Sequence, residues 1–351
     1  MMKKKNMLKI IKRYLKPYYW GLKQMMFRWA LNDDALYRKH ISSRKIDRVA
    51  IASATICNAR CIFCNYKTNE EPRLIMEEGL FRSAVKNLTE MGIDFFGYGG
   101  NSGDGLCDPH IGDRAIWAKE NGINHIFLGT NGILLKRPGL AEKLLTGINQ
   151  INISVPGFDQ ENYKAVFGVD KSKEVIEGIR ELAKVKRRIG SKTPIRLAFR
   201  ISRPWPEVRA EAEKLFSEYI EDGTVIISDS VNSEAMFNLA GEIKEEDMVG
   251  DMHLAPLEFN SYYPPCRRPL EEFTVLVDGQ VRACNCIYEK SNWDELVIGD
   301  IKKQPLSEII YGKKHRKLLS DMASGQWPEV CQKCNVNHAK EIPVSKMAHI
   351  A

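Results

Sequence analysis

The 351-residue sequence lacks any long hydrophobic run, and no stretch approaches the roughly 20 consecutive apolar residues of a membrane span. It also lacks a signal-peptide pattern, because Lys, Arg and Pro interrupt the apolar residues of the first 22 positions. With 44% hydrophobic and 28% charged residues, the composition excludes a disordered or fibrous protein. These features predict a globular cytoplasmic protein.

Acidic residues are missing from residues 1–31, which contain nine lysines and arginines. The net charge of +7 therefore belongs to this segment, and residues 32–351 carry a net charge of −2. A slightly acidic body argues against a nucleic-acid groove, so we predict no nucleic-acid partner. The mixture of basic and aromatic residues predicts an amphipathic helix that contacts the inner face of the membrane through residues 1–31. Packing of this helix on the body or on a partner is the alternative.

Disulfides are not expected, because nine cysteines are an odd number in a chain without a secretion signal. Cys57, Cys61 and Cys64 form a C-x3-C-x2-C pattern directly after a predicted strand. Three thiolates on a short loop can hold three irons of a 4Fe–4S cluster and leave the fourth iron open. A zinc site with a fourth ligand from elsewhere in the chain is the alternative.

Strand and helix patterns alternate between residues 48 and 227. The six apolar strand candidates are residues 49–54, 95–98, 125–128, 151–155, 195–201 and 225–227. Such alternation predicts an α/β fold with a parallel sheet and right-handed crossovers, whose ligands bind at the carboxyl ends of the strands. Six units are too few for the usual eight-stranded barrel, so we expect an open partial barrel.

The alternation stops near residue 230, and Asp278-Gly279 then predicts the turn of a β-hairpin. We therefore predict four segments. They are a basic, aromatic helical arm (1–46), the partial barrel (47–230), a linker with pocket loops (231–265) and a small α+β domain (266–351).

The segment Cys57-Asn58-Ala59-Arg60-Cys61-Ile62-Phe63-Cys64 resembles the cluster motif of the radical S-adenosylmethionine (SAM) superfamily. The resemblance covers about residues 47–230 and implies a partial (β/α)6 barrel. It also implies a 4Fe–4S cluster that binds SAM through its open iron. An electron from a reductant such as flavodoxin or ferredoxin would then cleave SAM to methionine and a 5′-deoxyadenosyl radical, which removes a hydrogen atom from the substrate.

The same resemblance implies contacts to SAM at the strand ends. The residues concerned are Phe63, Gly99, Gly100, Gly103, Asp104, Thr130, Asn131, Ser154 and Arg200. The glycine segment departs from the family pattern through Asn101-Ser102 and through Gly105, where proline is common. The alternatives are a plain turn for the glycines, a helix cap for Asn131 and a surface ion pair for Arg200.

The C-terminal cysteines resemble the SPASM/twitch region of radical SAM enzymes, in which cysteines hold an auxiliary 4Fe–4S cluster. The implied ligands are Cys266, Cys284, Cys331 and Cys334, and a structural zinc site is the alternative. Cys286 lies two residues beyond Cys284 and is the alternative to it as a ligand. Cys107 and Cys286 are also candidate catalytic thiols that donate a hydrogen atom to a substrate radical, or else they are small buried side chains.

These features predict a radical SAM oxidoreductase or epimerase. A second cluster that accepts an electron favours oxidation of a sugar or aminocyclitol alcohol, whereas a thiol donor favours epimerisation of such a small-molecule or glycan substrate. A maturase that cross-links a ribosomal peptide, or forms a thioether in it, is the alternative. That alternative is weakened because only 46 residues precede the first strand and they lack the hairpin of a leader-binding domain. A zinc-stabilised protein that binds nucleic acid or membrane is the distant alternative.

Overall fold

The computed structural model describes residues 22, 25–42, 46–68, 72–98, 103–227, 234–256, 266, 268–284 and 295–335. The strands are β1 (Arg48–Ile51), β2 (Phe95–Tyr98), β3 (His125–Thr130), β4 (Gln150–Val155), β5 (Ile195–Phe199), β6 (Val225–Ile227), β7 (Ala235–Met236), β8 (His253–Leu254), β9 (Glu272–Val275), β10 (Gln280–Arg282) and β11 (Val297–Asp300). The helices are α1 (25–32), α2 (Asp34–Ser42), α3 (Glu78–Glu90), α4 (Ile111–Glu120), α5 (Leu140–Gly147), α6 (Gln160–Phe167), α7 (Ser172–Ile189), α8 (Trp205–Glu221), α9 (Arg268–Glu271), α10 (Leu306–Ile310), α11 (Lys313–Ala323) and α12 (Glu329–Gln332).

Six strands, β1 to β6, pair in parallel and in chain order, and helices connect them. In β4, the odd-numbered apolar residues are buried and the even-numbered polar residues are half-buried, as expected of a strand with two different faces. This arrangement confirms the predicted α/β fold with a parallel sheet. It brings the carboxyl ends of β1 to β5 to one edge of the sheet, where the cysteine loop begins.

Helix α6 was not predicted from the sequence, although both of its ends carry capping residues. Asp159 accepts a hydrogen bond from the backbone N–H of Asn162 at 2.8 Å, and Gly168 ends the helix with a φ of +69°. The last turn of α6 then binds the cysteine loop, because the N–H groups of Arg60 and Ile62 donate to its carbonyls at 2.9 and 3.0 Å. Helix α6 therefore positions the loop that carries the first three cysteines.

The C-terminal hairpin forms as predicted, with β9 and β10 antiparallel around Asp278 and Gly279 (φ +89°). It does not form a separate sheet, because β9 pairs in parallel with β1 over residues 272–275 and β11 pairs with β10. The central sheet therefore has nine strands in the order β11-β10-β9-β1-β2-β3-β4-β5-β6. Without β9, the backbone of β1 would be left unpaired at a sheet edge. The segment boundaries at residues 46, 230 and 265 stay predictions.

The N-terminal helices α1 and α2 pack on the C-terminal segment. Phe27 and Tyr37 are buried, and the guanidinium of Arg28 donates to the carbonyl of Ala323 at 2.6 and 3.0 Å. The hydroxyl of Tyr37 donates to the carbonyl of Ile310 at 3.0 Å. One face of this region therefore packs on the body, as the alternative interpretation of the arm predicts, and residues 1–21 lie outside the described part. Among the described helices, none is long and apolar enough to cross a membrane.

Candidate active site

Three cysteine side chains face one another in the loop after β1. Cys57, Cys61 and Cys64 are half-buried, and the charge of Cys61 would interact with those of both other thiols. No three His, Cys, Asp or Glu side chains of the described residues are close enough together to hold a single metal ion. In a 4Fe–4S cluster each cysteine binds a different iron, so its ligands do not need to meet at one point. The loop thus supplies the donor set that such a cluster needs.

Burial raises the pKa of Cys57 to about 12 and raises that of Cys61 and of Cys64, since an apolar environment disfavours the thiolate. Burial disfavours the thiolate form of these cysteines in the protein alone. Such cysteines fit a site for a cationic group, because a bound metal deprotonates thiols and stabilises the thiolates. The donor set therefore fits an iron–sulfur cluster.

The end of β3 contacts the cysteine loop through Asn131. Its side-chain Nδ2 donates to the sulfur of Cys57 at 3.7 Å and to Oδ1 of Asn58 at 2.8 Å. Its Oδ1 accepts from the backbone N–H of Ile133 at 3.0 Å, which fixes the orientation of the amide. Asn131 thus combines a turn contact with a direct contact to a cysteine, and no helix begins at this position, since the next helix, α5, begins at Leu140.

Asp104 is a buried carboxylate that joins the ends of β2 and β3. It accepts hydrogen bonds from the backbone N–H groups of Leu106 and Asn131 and from the hydroxyl of Thr130, all at 2.7–3.0 Å. Burial raises the pKa of Asp104, and these three donors partly offset the effect. Its carboxylate oxygens therefore hold the strand ends in place, and a contact of Asp104 to SAM stays a prediction.

The glycine segment after β2 is described only from residue 103, so Gly99 and Gly100 lie outside the described residues. At Gly103, a Cβ atom would lie 2.6 Å from the carbonyl of Ile56 and 2.8 Å from that of Ala54. Only glycine allows this close approach to the cysteine loop. At Gly103 the close neighbour is thus the protein backbone, and a contact of this glycine to SAM stays a prediction.

Phe63 lies in the cysteine loop, Arg200 directly follows β5, and Ser154 lies near the end of β4. Phe63 packs edge-on against Phe167 of α6 with ring centroids 5.7 Å apart, and the guanidinium of Arg200 lies 5.9 Å from the Phe63 ring. Arg200 follows β5 directly, and its charge interacts with Cys61. Ser154 is half-buried in β4. Arg200 therefore lies beside the cysteine loop, and its contact to SAM stays a prediction.

Cys107 is a fourth thiol beside this loop. The backbone N–H of Asn58 donates to its sulfur, and its charge interacts with that of Cys57. Burial raises the pKa of Cys107 to about 12, so it is a protonated thiol at neutral pH. A neutral S–H group next to the cluster loop is the form that could donate a hydrogen atom.

Four further thiols converge in the C-terminal segment. The pKa of Cys331 is raised by burial and by the charges of Cys266, Cys284 and Cys334, so all four predicted ligands lie close together. The thiol of Cys284 also donates to the buried carboxylate of Glu272 at 3.6 Å. The other candidate ligand, Cys286, lies outside the described residues. The sequence prediction of these four cysteines as one group is thus matched by their placement.

Two charged residues near this second group were not predicted from the sequence. Arg282 is buried in β10, donates to the carbonyl of Cys284 at 3.2 Å, and its charge lowers the pKa of Cys331. Glu272 is buried in β9 and pairs with Arg268 at 2.8 Å. A guanidinium beside four thiols fits a cluster site, because four thiolates leave such a site with excess negative charge. The position of Arg282 two residues before Cys284 in the hairpin was the available signal.

Comparison with known families agrees with both groups of thiols. Residues 51–195 match the family model of the radical SAM superfamily, and residues 266–335 match the SPASM model, an iron–sulfur cluster-binding domain. The first match contains Cys57, Cys61 and Cys64, and the second contains the four C-terminal ligand candidates.

Solved structures share the fold. BtrN in complex with AdoMet and 2-DOIA is 15% identical, with a TM-score of 0.53 over 83% of this chain and 94% of BtrN. Streptococcus suis SuiB bound to its precursor peptide SuiA is 15% identical, with a TM-score of 0.54 over 84% of this chain and 71% of SuiB. The enzyme anSMEcpe with bound AdoMet is 16% identical, with a TM-score of 0.50 over 84% and 91% of the two chains.

Curated relatives match a shorter region. A probable GTP 3′,8-cyclase of Saccharolobus islandicus is 29% identical over 161 residues, and that of Sulfolobus acidocaldarius is 28% identical over 166 residues. The chain spans about half the length of these relatives.

The fold and the two groups of thiols define an enzyme that uses iron–sulfur clusters and SAM. The chain is a member of the radical SAM superfamily with a C-terminal SPASM domain. Its cofactors are a SAM-binding 4Fe–4S cluster, SAM itself and an auxiliary 4Fe–4S cluster.

Proposed function

We propose that this radical SAM enzyme oxidises or epimerises a sugar or aminocyclitol substrate. The observation that carries the proposal is the presence of two separate sets of interacting thiols, three after β1 and four in the C-terminal segment. When bound, the clusters and SAM supply a 5′-deoxyadenosyl radical that removes a substrate hydrogen atom and a second centre that can accept an electron. Hydrogen abstraction followed by electron acceptance is the combination that an alcohol dehydrogenation needs.

The chain's own residues then have distinct proposed roles. Cys57, Cys61 and Cys64 hold the SAM-binding cluster, and Asn131 donates a hydrogen bond to one of these ligands. Arg200 would hold a carboxylate, because a half-buried guanidinium beside the cysteine loop is a strong partner for one. The half-buried Phe63 closes the loop against α6.

The second set of roles concerns the auxiliary site. Cys266, Cys284, Cys331 and Cys334 are proposed to hold the auxiliary cluster, with the Arg282 guanidinium balancing its negative charge. This site makes oxidation the favoured outcome, since a substrate radical that loses a proton and an electron becomes a carbonyl.

The substrate class rests on fold similarity and on the site. BtrN, whose chain is covered to 94%, was solved with AdoMet and 2-DOIA. SuiB, covered to 71%, was solved with a precursor peptide, so a peptide maturase remains the second candidate. We favour the small-molecule or glycan substrate, with flavodoxin or ferredoxin as the class of reductant.

Epimerisation would use Cys107 as the hydrogen donor. Its protonated thiol lies beside the loop that holds the first cluster, which is where a substrate radical would form. Cys286 is the other candidate donor. A donor thiol would return one hydrogen atom to the substrate radical and become a thiyl radical, which one electron from the reductant and one proton convert back to the thiol. The product therefore keeps the composition of the substrate and differs only in stereochemistry.

Two experiments test the proposal. First, iron and sulfide are measured in anaerobically reconstituted protein, in a Cys57/Cys61/Cys64→Ala variant and in a Cys266/Cys284/Cys331/Cys334→Ala variant. Each variant should lose about four of about eight irons per chain, because each cluster contains four irons. A variant of either set that keeps all iron would contradict the assignment of its ligands.

Second, the reduced enzyme is incubated with SAM and a panel of sugars and aminocyclitols in D2O. Oxidation gives a carbonyl product that lacks a pair of hydrogen atoms, and epimerisation gives an isomer that carries deuterium from the exchanged thiol. The Cys107→Ala variant should abolish only the second outcome. Formation of 5′-deoxyadenosine with a ribosomal peptide, and with none of the carbohydrates, would favour the maturase instead.

A further inference from the structure

Leu22 and the N-terminal helix α1 carry an exposed apolar stripe that the proposed reaction does not use. Leu22, Met25, Met26 and Trp29 are 53%, 61%, 57% and 65% exposed. The spacing of three, one and three residues places these side chains on one face of a helix. A contiguous exposed apolar face marks an interaction surface rather than a chance exposure.

The opposite face of the same helix is anchored in the protein. Phe27, Ala30 and Leu31 are 2%, 7% and 5% exposed, and they pack into the main core or against it. Arg28 ties the helix to the end of α11 through its two hydrogen bonds to Ala323. The stripe is therefore held outward in a fixed orientation and does not pack on the body.

Charge indicates what covers the stripe. The first 31 residues contain nine lysines and arginines and no acidic residue, and Lys23 and Arg28 fall within the sequence of the stripe itself. Two copies of the chain joined through this face would bring two such sets of positive charge together, which disfavours a dimer. An anionic lipid surface matches both properties, because its interface accepts Trp and Met side chains while its headgroups attract lysine and arginine.

We propose that the apolar stripe, together with the basic residues of the N-terminal sequence, forms a docking surface for a bilayer that contains anionic lipids. The stripe enters the interface between headgroups and acyl chains, with the helix axis parallel to the membrane plane. The basic residues of the segment contact the lipid phosphates. This inference is independent of the proposed reaction, since none of its residues belongs to either group of thiols.

Vesicle co-sedimentation of the full chain tests the proposal. Vesicles of phosphatidylcholine with about 30% phosphatidylglycerol should pellet the protein, and pure phosphatidylcholine or high salt should weaken binding at least about tenfold. The variant Leu22→Ser/Met25→Ser/Met26→Ser/Trp29→Ser should lose binding by a similar factor. The matched control Ile189→Ser/Ile226→Ser removes two other exposed apolar side chains, 38% and 37% exposed, and should bind as the unmodified chain does.

A second measurement does not depend on removing the stripe. Vesicles with brominated acyl chains should quench part of the tryptophan fluorescence of the unmodified protein, and Trp29→Phe should reduce that quenching while the protein still pellets. Binding that is equal with and without phosphatidylglycerol, or quenching that is undiminished in Trp29→Phe, would overturn the proposal. So would a stripe variant that still pellets but changes from dimer to monomer in light scattering, because the stripe would then join two copies. Binding of an acidic protein in place of vesicles would likewise overturn it.

Discussion

The side-chain amide of Asn131 donates to the sulfur of Cys57 at 3.7 Å, so the end of β3 is linked directly to a proposed cluster ligand. The same residue donates its backbone N–H to Asp104, which also accepts from Thr130. Hydrogen bonds to cluster sulfurs are among the factors that set the reduction potential of an iron–sulfur cluster. The hydrogen bond from the end of β3 therefore also affects the charge density at the sulfur of Cys57.

Replacing Asn131 by Ala should lower the reduction potential of the SAM-binding cluster. The lost N–H···S hydrogen bond leaves more negative charge on the Cys57 thiolate, which disfavours the reduced cluster. A redox titration followed by electron paramagnetic resonance measures the change. The control is Asn121→Ala. Among the described residues, the side-chain amide of Asn121 donates only to the carbonyl of Trp117. An unchanged potential in Asn131→Ala would contradict the link.

Gly168→Ala should weaken the cysteine loop more than a comparable substitution elsewhere. Gly168 and Gly190 both end helices with positive φ, at +69° and +66°. A Cβ on Gly168 would lie 2.5 Å from the carbonyl of Arg60, whereas a Cβ on Gly190 has no neighbour within 4 Å. We expect Gly190→Ala to cost about 1 kcal/mol of unfolding free energy and Gly168→Ala to cost more, with reduced iron incorporation.

Denaturant unfolding and iron analysis of the two glycine variants check this expectation. Both variants introduce a similar backbone strain. The difference between their losses of unfolding free energy therefore measures the contact of residue 168 with the cysteine loop. Equal losses of stability in Gly168→Ala and Gly190→Ala, with equal iron content, would show that α6 does not hold the cysteine loop.

The buried ion pair of Arg114 and Asp108 supports the segment after β2. Nη1 of Arg114 lies 2.7 Å from Oδ2 of Asp108, and both side chains are at most 2% exposed. Arg114→Met should cost about 3–5 kcal/mol of unfolding free energy, since it leaves a buried carboxylate unpaired. Adding Asp108→Asn should recover part of this loss. A double-mutant cycle by urea unfolding measures the coupling, and additive losses would argue against a direct pair.

Stability should fall in mild acid because of His315. This histidine is buried between the carbonyls of Ile310 and Pro269, each at 2.8 Å, and burial lowers its pKa below the ordinary value of 6.5. The unfolded chain therefore binds a proton at a higher pH than the folded chain does. This contribution is complete above about pH 6.5 and is lost as the pH falls toward the lowered pKa, with a slope of at most about 1.4 kcal/mol per pH unit.

The measurement is the unfolding free energy between pH 7.5 and about 5 for the unmodified chain and for His315→Gln. The variant is expected to be less stable at all pH values, so the slopes are compared and not the absolute stabilities. An identical pH slope in the two proteins would show that His315 has the same pKa in the folded and the unfolded chain, which would contradict the prediction.

The sequence was sufficient to predict the six parallel strands and to single out the cysteines of both groups as candidates. Their signals are local, namely apolar runs, alternation with helices and short cysteine spacings. The convergence of Cys266 with Cys331 across more than 60 residues required the family resemblance, since spacing alone does not define a shared site. Helix α6 escaped prediction although Asp159 and Gly168 are typical caps, because the helix is only eight residues long.

Other features depend on tertiary packing. The parallel pairing of β9 with β1 depends on which sheet edge is open, and the direction of the Asp104 carboxylate depends on three donors from two segments. Glu272 occupies a strand position that a pattern of alternation assigns only to a face, so its proximity to Cys284 had no local signal. Arg282 had only its sequence position two residues before Cys284.

The pairing of β1 with β9 also has a consequence for biosynthesis. The two strands are more than 200 residues apart in the chain, so β1 leaves the ribosome long before its second partner exists. Closing so long a loop has an entropic cost, which is incurred before the pairing of β1 with β9 can stabilise the fold. This pairing is therefore expected to form late and slowly. The nascent barrel therefore displays a bare hydrogen-bonding edge until the C-terminal hairpin arrives. During that interval the open edge is a place where a growing chain can pair with its neighbours.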